Sequence, residues 1–313
     1  MRLKALICVL LAAACAGPAT AQDREMAERV RTGVDVWPTT GSGEWEVSID
    51  SGFGYEGRSM LEWDDTDAVV WVLHGDVFIY PWLYVSGEYG FGTIEDASNR
   101  DTDYVNGFLY SESISSTEGD MRMYDASVHA DFTSMLALEG FDGQFDVFVG
   151  YQYYTDELED SDGIQTMMYD MPMYYSLAEG VNATYDFEWQ GVRVGVHGEY
   201  SFTRELSASA ELAIIAGVQY EGEAFWALRD DYRSTPPNFV HEADNGSGVD
   251  VSVFVSYFPW ENMGFRGGYR SLTWDAEDGT DTTYFADGSA LETPLDSVES
   301  TRQGFFVGLV GRI

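Results

Sequence analysis

From Trp45 the chain reads W-E-V-S-I-D-S-G-F-G-Y, so Trp45, Val47, Ile49, Phe53 and Tyr55 share one side of an extended backbone. Glu46, Ser48, Asp50, Gly52 and Gly54 share the other. A period of two marks a β-strand with one apolar face. The alternation returns at Leu83/Val85/Tyr89/Phe91, at Tyr124/Ala126/Val128/Ala130/Phe132 and at Phe145/Val147/Val149/Tyr151/Tyr153. It returns again at Leu206/Ala208/Ala210/Leu212/Ile214 and at Val249/Val251/Val253/Val255/Tyr257, the last facing Asp250, Ser252 and Ser256. Around residues 69–79 and 185–200 it is interrupted or slips phase, and segments 263–272 and 304–313 complete a count of ten. The first run is longer than the ~5–6 residues of an ordinary strand and matches the ~9–11 with which a tilted strand crosses a bilayer.

The connections alternate too. Those near Tyr80-Pro81-Trp82, Thr133 to Gln144, Ser201 to Glu205 and Phe258-Pro259-Trp260 are mostly short, while those at about 56–67, 93–122, 155–184, 221–247 and 273–303 are mostly long and acidic. Two short turns carry Pro-Trp beside Tyr or Phe, as aromatic side chains sit at a membrane interface. Short turns on one side and long loops on the other is the plan of an outer-membrane barrel. The expected fold is all-β: a ten-stranded antiparallel transmembrane β-barrel with long acidic extracellular loops, in the outer membrane of a Gram-negative bacterium. A soluble secreted sandwich would also alternate, but with shorter strands and fewer lipid-type aromatics.

The N-terminus adds a targeting signal. Arg2 and Lys4 precede an apolar run from Ala5 to Ala16, then Gly17, Pro18 and Ala19-Thr20-Ala21, the pattern of a secretory leader cut after Ala21. A lipoprotein signal at Cys15 ranks second, because three alanines precede it where such signals place a Leu. The expected organisation is a signal peptide at 1–21, a periplasmic lead-in at 22–43 and the barrel at 44–313. Both cysteines, Cys8 and Cys15, fall in the leader, which excludes disulfides and thiolate metal sites from the mature chain.

The formal charge of −38 becomes more negative still once the leader's two cations are removed, and Lys4 is the only lysine. Such a balance excludes nucleic acid as a partner, since phosphate backbones are bound by Lys and Arg. Residues 155–184 hold seven acids and 273–300 hold eight, with no basic residue in either. At a cell surface this field attracts cations and basic peptides. Asp160-Ser161-Asp162-Gly163 hints at calcium, but the spacing lacks the distal bidentate Glu of a calcium loop. No metal site and no cofactor is expected; the expected surroundings are outer-membrane lipid, around a monomer.

Residues 51–104 carry a more particular order of motifs. Ser51-Gly52 is followed by Glu56, then Ser59-Met60-Leu61-Glu62-Trp63, Pro81, the Gly87/Gly90/Gly92 strand and Asp101-Thr102-Asp103-Tyr104; Gly150-Tyr151-Gln152 and the segment from Trp226 to Tyr232 come later. This order resembles the omptin family of outer-membrane proteases, ten-stranded barrels showing S-G-x-x-x-E, S-x-L-D-W and D-x-D-W. The resemblance implies an Asp pair and, across the mouth, an Asp-His pair that together activate a water against a peptide carbonyl, with an acidic pocket for basic residues. Asp101 and Asp103 match the Asp pair and Glu56 matches the acid that helps bind a basic substrate residue.

The opposite wall departs from the family. Where omptins carry D-E-H-Y, this chain has Arg229-Asp230-Asp231-Tyr232, which leaves the acids Asp230 and Asp231 but no imidazole. A base poised near neutral pH is thereby lost. His241, nine residues past Tyr232, would have to fold back to replace it; His129 and His197 lie on inward strand phases as polar lumen lining, and His74 is ambiguous. The family's lipopolysaccharide-contacting Tyr-x-Glu-x-Arg appears as Tyr151-Gln152-Tyr153-Tyr154-Thr155, keeping only the Tyr. Two functions follow as expectations. The first is a non-proteolytic barrel with a surface structural, binding or porin-like role. The alternative is an omptin-type aspartic endopeptidase cleaving near basic residues through a modified second dyad in which Asp231 shares a proton, active at acidic pH.

Overall fold

The computed structural model describes residues 30–50, 56–136, 143–169, 175–177 and 179–313. The strands are β1 (Val30–Asp50), β2 (Glu56–Asp64), β3 (Ala68–Tyr80), β4 (Leu83–Val105), β5 (Phe108–Asp131), β6 (Gly143–Met168), β7 (Tyr175–Ser176), β8 (Val181–Ser201), β9 (Leu206–Trp226), β10 (Phe239–Tyr257), β11 (Met263–Tyr284) and β12 (Ala290–Arg312). All belong to one antiparallel sheet, and β1 pairs with β12 from Arg31↔Arg312 to Val47↔Leu295, so the sheet closes on itself. One helical turn, α1 (Phe132–Met135), follows β5, and the Asp131 carboxylate caps it by accepting from the backbone N–H of Thr133 and Ser134 at 2.8 and 3.1 Å.

β2 and β3 occupy a single place in the ring. β2 pairs with β1 over Gly43–Asp50 and β3 pairs with it over Val30–Thr39, and both also pair with β4. Asp65, in the left-handed region at φ 54°, marks the break between them. β7 only flanks β6, which leaves ten strand positions round the barrel, the number the alternation predicts.

Two expectations are corrected. β1 starts at Val30, so residues 30–43 are barrel strand and not a lead-in; the leader and residues 22–29 lie outside the described residues. The segments expected as long loops at 93–122, 155–184, 221–247 and 273–303 are largely strand, because most strands run on for 19 to 26 residues, about twice a bilayer crossing, and the one expected at 56–67 is mostly β2.

The bilayer level is set by the outward side chains near the short-turn end. Val69, Trp71, Leu73 and Val77 on β3, Val249 to Val255 on β10 and Phe305, Val307 and Leu309 on β12 are large apolar groups left exposed by the isolated chain. A continuous outer band of this kind is stabilised only by lipid. The apolar side at Trp45 is not part of that band, since Trp45 and Val47 are 5% and 3% exposed and point into the barrel above it; Phe53 and Tyr55 lie outside the described residues.

The reason is a series of β-bulges that shift the inward phase by one residue part-way up the strands. On β4 the buried positions are Tyr84, Gly90 and Ile94 below Glu95-Asp96, then Ala97 and Asn99 above it. On β10 they change from Gly248 and Asp250 to His241 and Ala243 across Asp244-Asn245, and similar shifts occur at Asp162, Gly217 and Asp278. Asp96, Asp162, Gly217 and Asp278 all sit at φ between 55° and 60°, a conformation that Gly adopts freely and Asp tolerates.

The lumen is filled in two layers. At bilayer height it is ionic: Arg270 donates to Asp250 at 3.0 and 2.6 Å and to Glu88 at 2.6 Å, and Arg193 reaches Asp250 at 3.1 Å and Asp125 at 3.3 Å. Above this lies an aromatic and aliphatic core. Trp63 of β2 touches Tyr185 and Phe187 of β8 across the barrel, both with centroids 5.0 Å away, and Trp189 continues the chain to Tyr220 at 4.6 Å and Trp274 at 6.0 Å. Between the layers Arg302 of β12 donates to Tyr154 Oη of β6 at 3.0 Å. Side chains therefore bridge the lumen from wall to wall.

Candidate functional site at the extracellular mouth

The bulge at Glu95-Asp96 decides which way the predicted acid pair points. With the phase shifted, Asn99, Asp101 and Asp103 face inward on the upper end of β4, while Arg100 faces out and pairs with Glu112 at 3.1 Å. Asp103 accepts from Ser111 Oγ of β5 at 2.7 Å. Asp101 Oδ1 is buried with no hydrogen-bond partner among the described residues. Burial, then Asp103 and then Asp160 push its carboxyl well above the usual carboxylate range, and Arg229 opposes them.

Asp160 belongs to this group as well. It is 2% exposed on the inward face of β6 and accepts from Asn99 Nδ2, from Ser115 Oγ at 3.0 Å and from Thr117 Oγ1 at 2.5 Å. Its carboxyl is also raised by burial, against the lowering effect of those three hydrogen bonds. Asp162 is exposed, so the two acids of the D-S-D-G stretch do not converge; that stretch forms a bulge. The D-S-D-G spacing marks Asp160 in the sequence, but its inward place follows from β6 continuing through the segment expected as a loop.

Across the mouth the β9–β10 connection is held down by aromatics. Tyr232 bridges to Phe285 and packs on Phe239 at 4.9 Å, and the Asp231 carbonyl accepts from Ala286 N–H at 3.0 Å. This places the Arg229 guanidinium 4.4 Å over the Tyr232 ring, near enough to Asp101 and Asp103 to act on both carboxyls. Asp231 does not face the pair. Both its oxygens accept from Arg229, at 2.8 and 2.7 Å, its side chain is 56% exposed, and this hydrogen bonding lowers its carboxyl below the usual range. Asp230 is exposed too. Glu56 is exposed on the outward phase of β2, out of step with the buried Ser59, Leu61 and Trp63. The predicted residues thus divide: Asp101 and Asp103 meet, and Glu56, Asp230 and Asp231 stand apart from them.

The histidine expected to be a loop residue has another place. His241 is on β10, fully buried, with Nδ1 accepting from Trp45 Nε1–H at 3.0 Å and Nε2 2.9 Å from Asp281. His129 and His197 line the lumen at bilayer height as their phases predict, both against Asp146, and His74 also turns inward, 3.7 Å from Asp35.

The family model described as Protochlamydia outer membrane protein matches residues 42–302, most of the barrel. The chain belongs to this family. For this member of the Protochlamydia outer membrane protein family, the crystal structure of outer membrane protease OmpT from Escherichia coli is similar at a TM-score of 0.80 and 11% identity, covering 94% of this chain and 100% of that one. At that identity the likeness is one of fold. The toluene transporter TbuX of Ralstonia pickettii (TM-score 0.34, 10% identity, 96% and 93% covered) and the translocator domain of autotransporter NalP from Neisseria meningitidis (0.35, 9%, 100% and 96%) are far looser matches. No curated protein sequence matches the chain. The protein is an outer-membrane β-barrel.

Proposed function

We propose that this barrel is an omptin-like but non-proteolytic surface protein whose acidic mouth binds cationic ligands such as basic peptide segments. The observation that carries the proposal is the two-pronged pairing of Arg229 with Asp231 on the connection across the mouth from Asp101 and Asp103, where a water-activating site needs a base. A guanidinium keeps its protons at any ordinary pH and donates only, so it cannot take one from water. The carboxylate that might substitute, Asp231, is occupied by Arg229 and turned to solvent. His241 is sealed in the lumen with both ring nitrogens near partners. What remains is a set of inward acids beneath a rim cation, Arg229, whose charge is of the kind a basic ligand would bring.

One observation favours the endopeptidase alternative. Asp101 and Asp103 are two positions apart on one face, and the raised Asp101 carboxyl suits a pair sharing a proton. The test is to present the refolded barrel with fluorogenic peptides containing Arg or Lys between pH 4 and 8, beside an Asp101→Ala/Asp103→Ala variant, following cleavage and fluorescence anisotropy together. The expected result is no cleavage, with salt-sensitive binding that the variant weakens. Cleavage by the wild type that the variant abolishes would overturn the proposal in favour of the protease.

A further inference from the structure

We propose that Ser86, His129 and Asp146 form a nucleophilic site inside the barrel, separate from the mouth, that acts on short acyl esters entering from the short-turn end. Ser86 Oγ lies 2.8 Å from His129 Nε2, and His129 Nδ1 lies 2.8 Å from Asp146 Oδ1. The three residues come from the neighbouring strands β4, β5 and β6, where the pairings Tyr84↔His129 and Asp131↔Asp146 set them on one inward diagonal. A serine, a base within hydrogen-bond reach and an acid orienting that base make an activated nucleophile, recognised by geometry and not by chain order.

The surroundings fix the proton positions. Asp146 is fully buried and takes the Tyr84 hydroxyl at 3.0 Å, Gln144 Nε2 at 2.9 Å and the two imidazoles of His129 and His197 at 2.8 and 3.0 Å. An ionised carboxylate only accepts, so the His129 proton sits on Nδ1 and the Nε2 lone pair faces the serine hydroxyl. Tyr84 stacks on the His129 ring at 4.3 Å and Phe148 packs at 4.7 Å, which holds its plane.

Hydrogen-bonded serine and histidine also occur as plain lumen lining, and what distinguishes this set is access. Ser86 and His129 face a cavity of about 180 Å³ whose wall includes the Thr203–Ser207 turn, Phe258 and Arg312, all at the short-turn, periplasmic end. Ser86 itself is half-buried. Arg193 lines the same cavity and brings a positive charge to it, the sign that favours a developing oxyanion. The volume is below the ~300–1,000 Å³ of pockets for drug-sized ligands, so the acyl group is short and the alcohol part lies toward the opening.

The chemistry balances without a further reactant beyond water. Ser86 Oγ bonds to the ester carbonyl carbon as its proton passes to His129 Nε2; the carbon–oxygen bond to the alcohol then breaks, and that proton leaves with the alkoxide. Water, deprotonated by the same Nε2, attacks the acyl-serine, releasing the acid and restoring the hydroxyl.

Methanesulfonyl fluoride tests this directly, being small enough for the cavity and forming an Oγ–S bond with loss of fluoride. The chain refolded in detergent is incubated with it and the adduct located by peptide mass spectrometry. A single adduct on Ser86 is expected, absent in Ser86→Ala and in the urea-unfolded chain. His129→Gln, with its β-signal in circular dichroism retained, is expected to react ~10²-fold more slowly, and Asp101→Ala/Asp103→Ala at the wild-type rate. No adduct on Ser86 in the folded wild type, or equal labelling of the unfolded chain, overturns the proposal whatever happens at the mouth.

Discussion

Asp101 is the residue on which the mouth's pH behaviour turns. Its carboxyl is raised by burial and by Asp103 and Asp160, so the folded protein keeps the proton at pH values where the unfolded chain, near the ordinary value of ~4, has released it. Within that window the native state binds more protons, and stability falls as pH rises. Asp101→Asn removes this cost while keeping the shape. Its urea unfolding midpoint should exceed that of the wild type at pH 8, with the gap closing at pH 4; an equal gap at both pH values would sink the assignment. At this scale the sequence was partly legible. The Asp pair was visible as a short spacing in a known order of motifs, and the loss of the imidazole as a single letter. That Arg229 would take both oxygens of Asp231 at the rim of the mouth was not visible, because an ion pair two residues apart on a loop leaves no periodic trace. Ser86, His129 and Asp146 are spread over three strands, and only their register brings them together.

At the scale of the strand, the bulges explain both what alternation revealed and where it misled. In the bilayer band the pleat is regular and lipid selects one face, so Val249 to Tyr257 and Tyr124 to Ala130 read correctly, and only Phe132 falls past the strand end in α1. Above the band, the interior holds Trp and Tyr and the exterior meets water, so the apolar face is the inner one and Trp45 belongs to it. The bulge residues themselves were acidic or Gly punctuation with no announced role. Asp96, at φ 58°, shows their importance: Asp96→Val places a β-branched side chain in the left-handed region and should cost about 1–2 kcal/mol. Asp96→Gly should be near neutral. Urea midpoints of the two variants check this, and an Asp96→Val barrel as stable as the Gly form would count against a structural role for the bulge.

For the whole molecule, the packed lumen bears on transport. Contacts such as Trp63 with Phe187, Arg270 with Glu88 and Tyr154 with Arg302 join opposite walls at successive heights. Of the surface, binding and porin-like roles the sequence left open, the porin-like one is expected to fail: purified barrel in a planar bilayer should give no stepwise current, and regular single-channel openings would show that the core yields. Ring closure, the ten positions and the lipid band were legible because they are properties of pattern, whereas the filling of the interior depends on which side chains meet across it.

The seam between β1 and β12 carries a consequence for biogenesis. Val30 and Ile313 exchange backbone hydrogen bonds at 3.1 and 2.9 Å, and pairing runs from there to Val47↔Leu295. During synthesis the first strand emerges long before its partner exists. Every intermediate thus presents two unsatisfied edges and an apolar band, with nothing yet to join them. Passage to the membrane therefore demands an escort that shields both, and release from it has to coincide with the meeting of first strand and last.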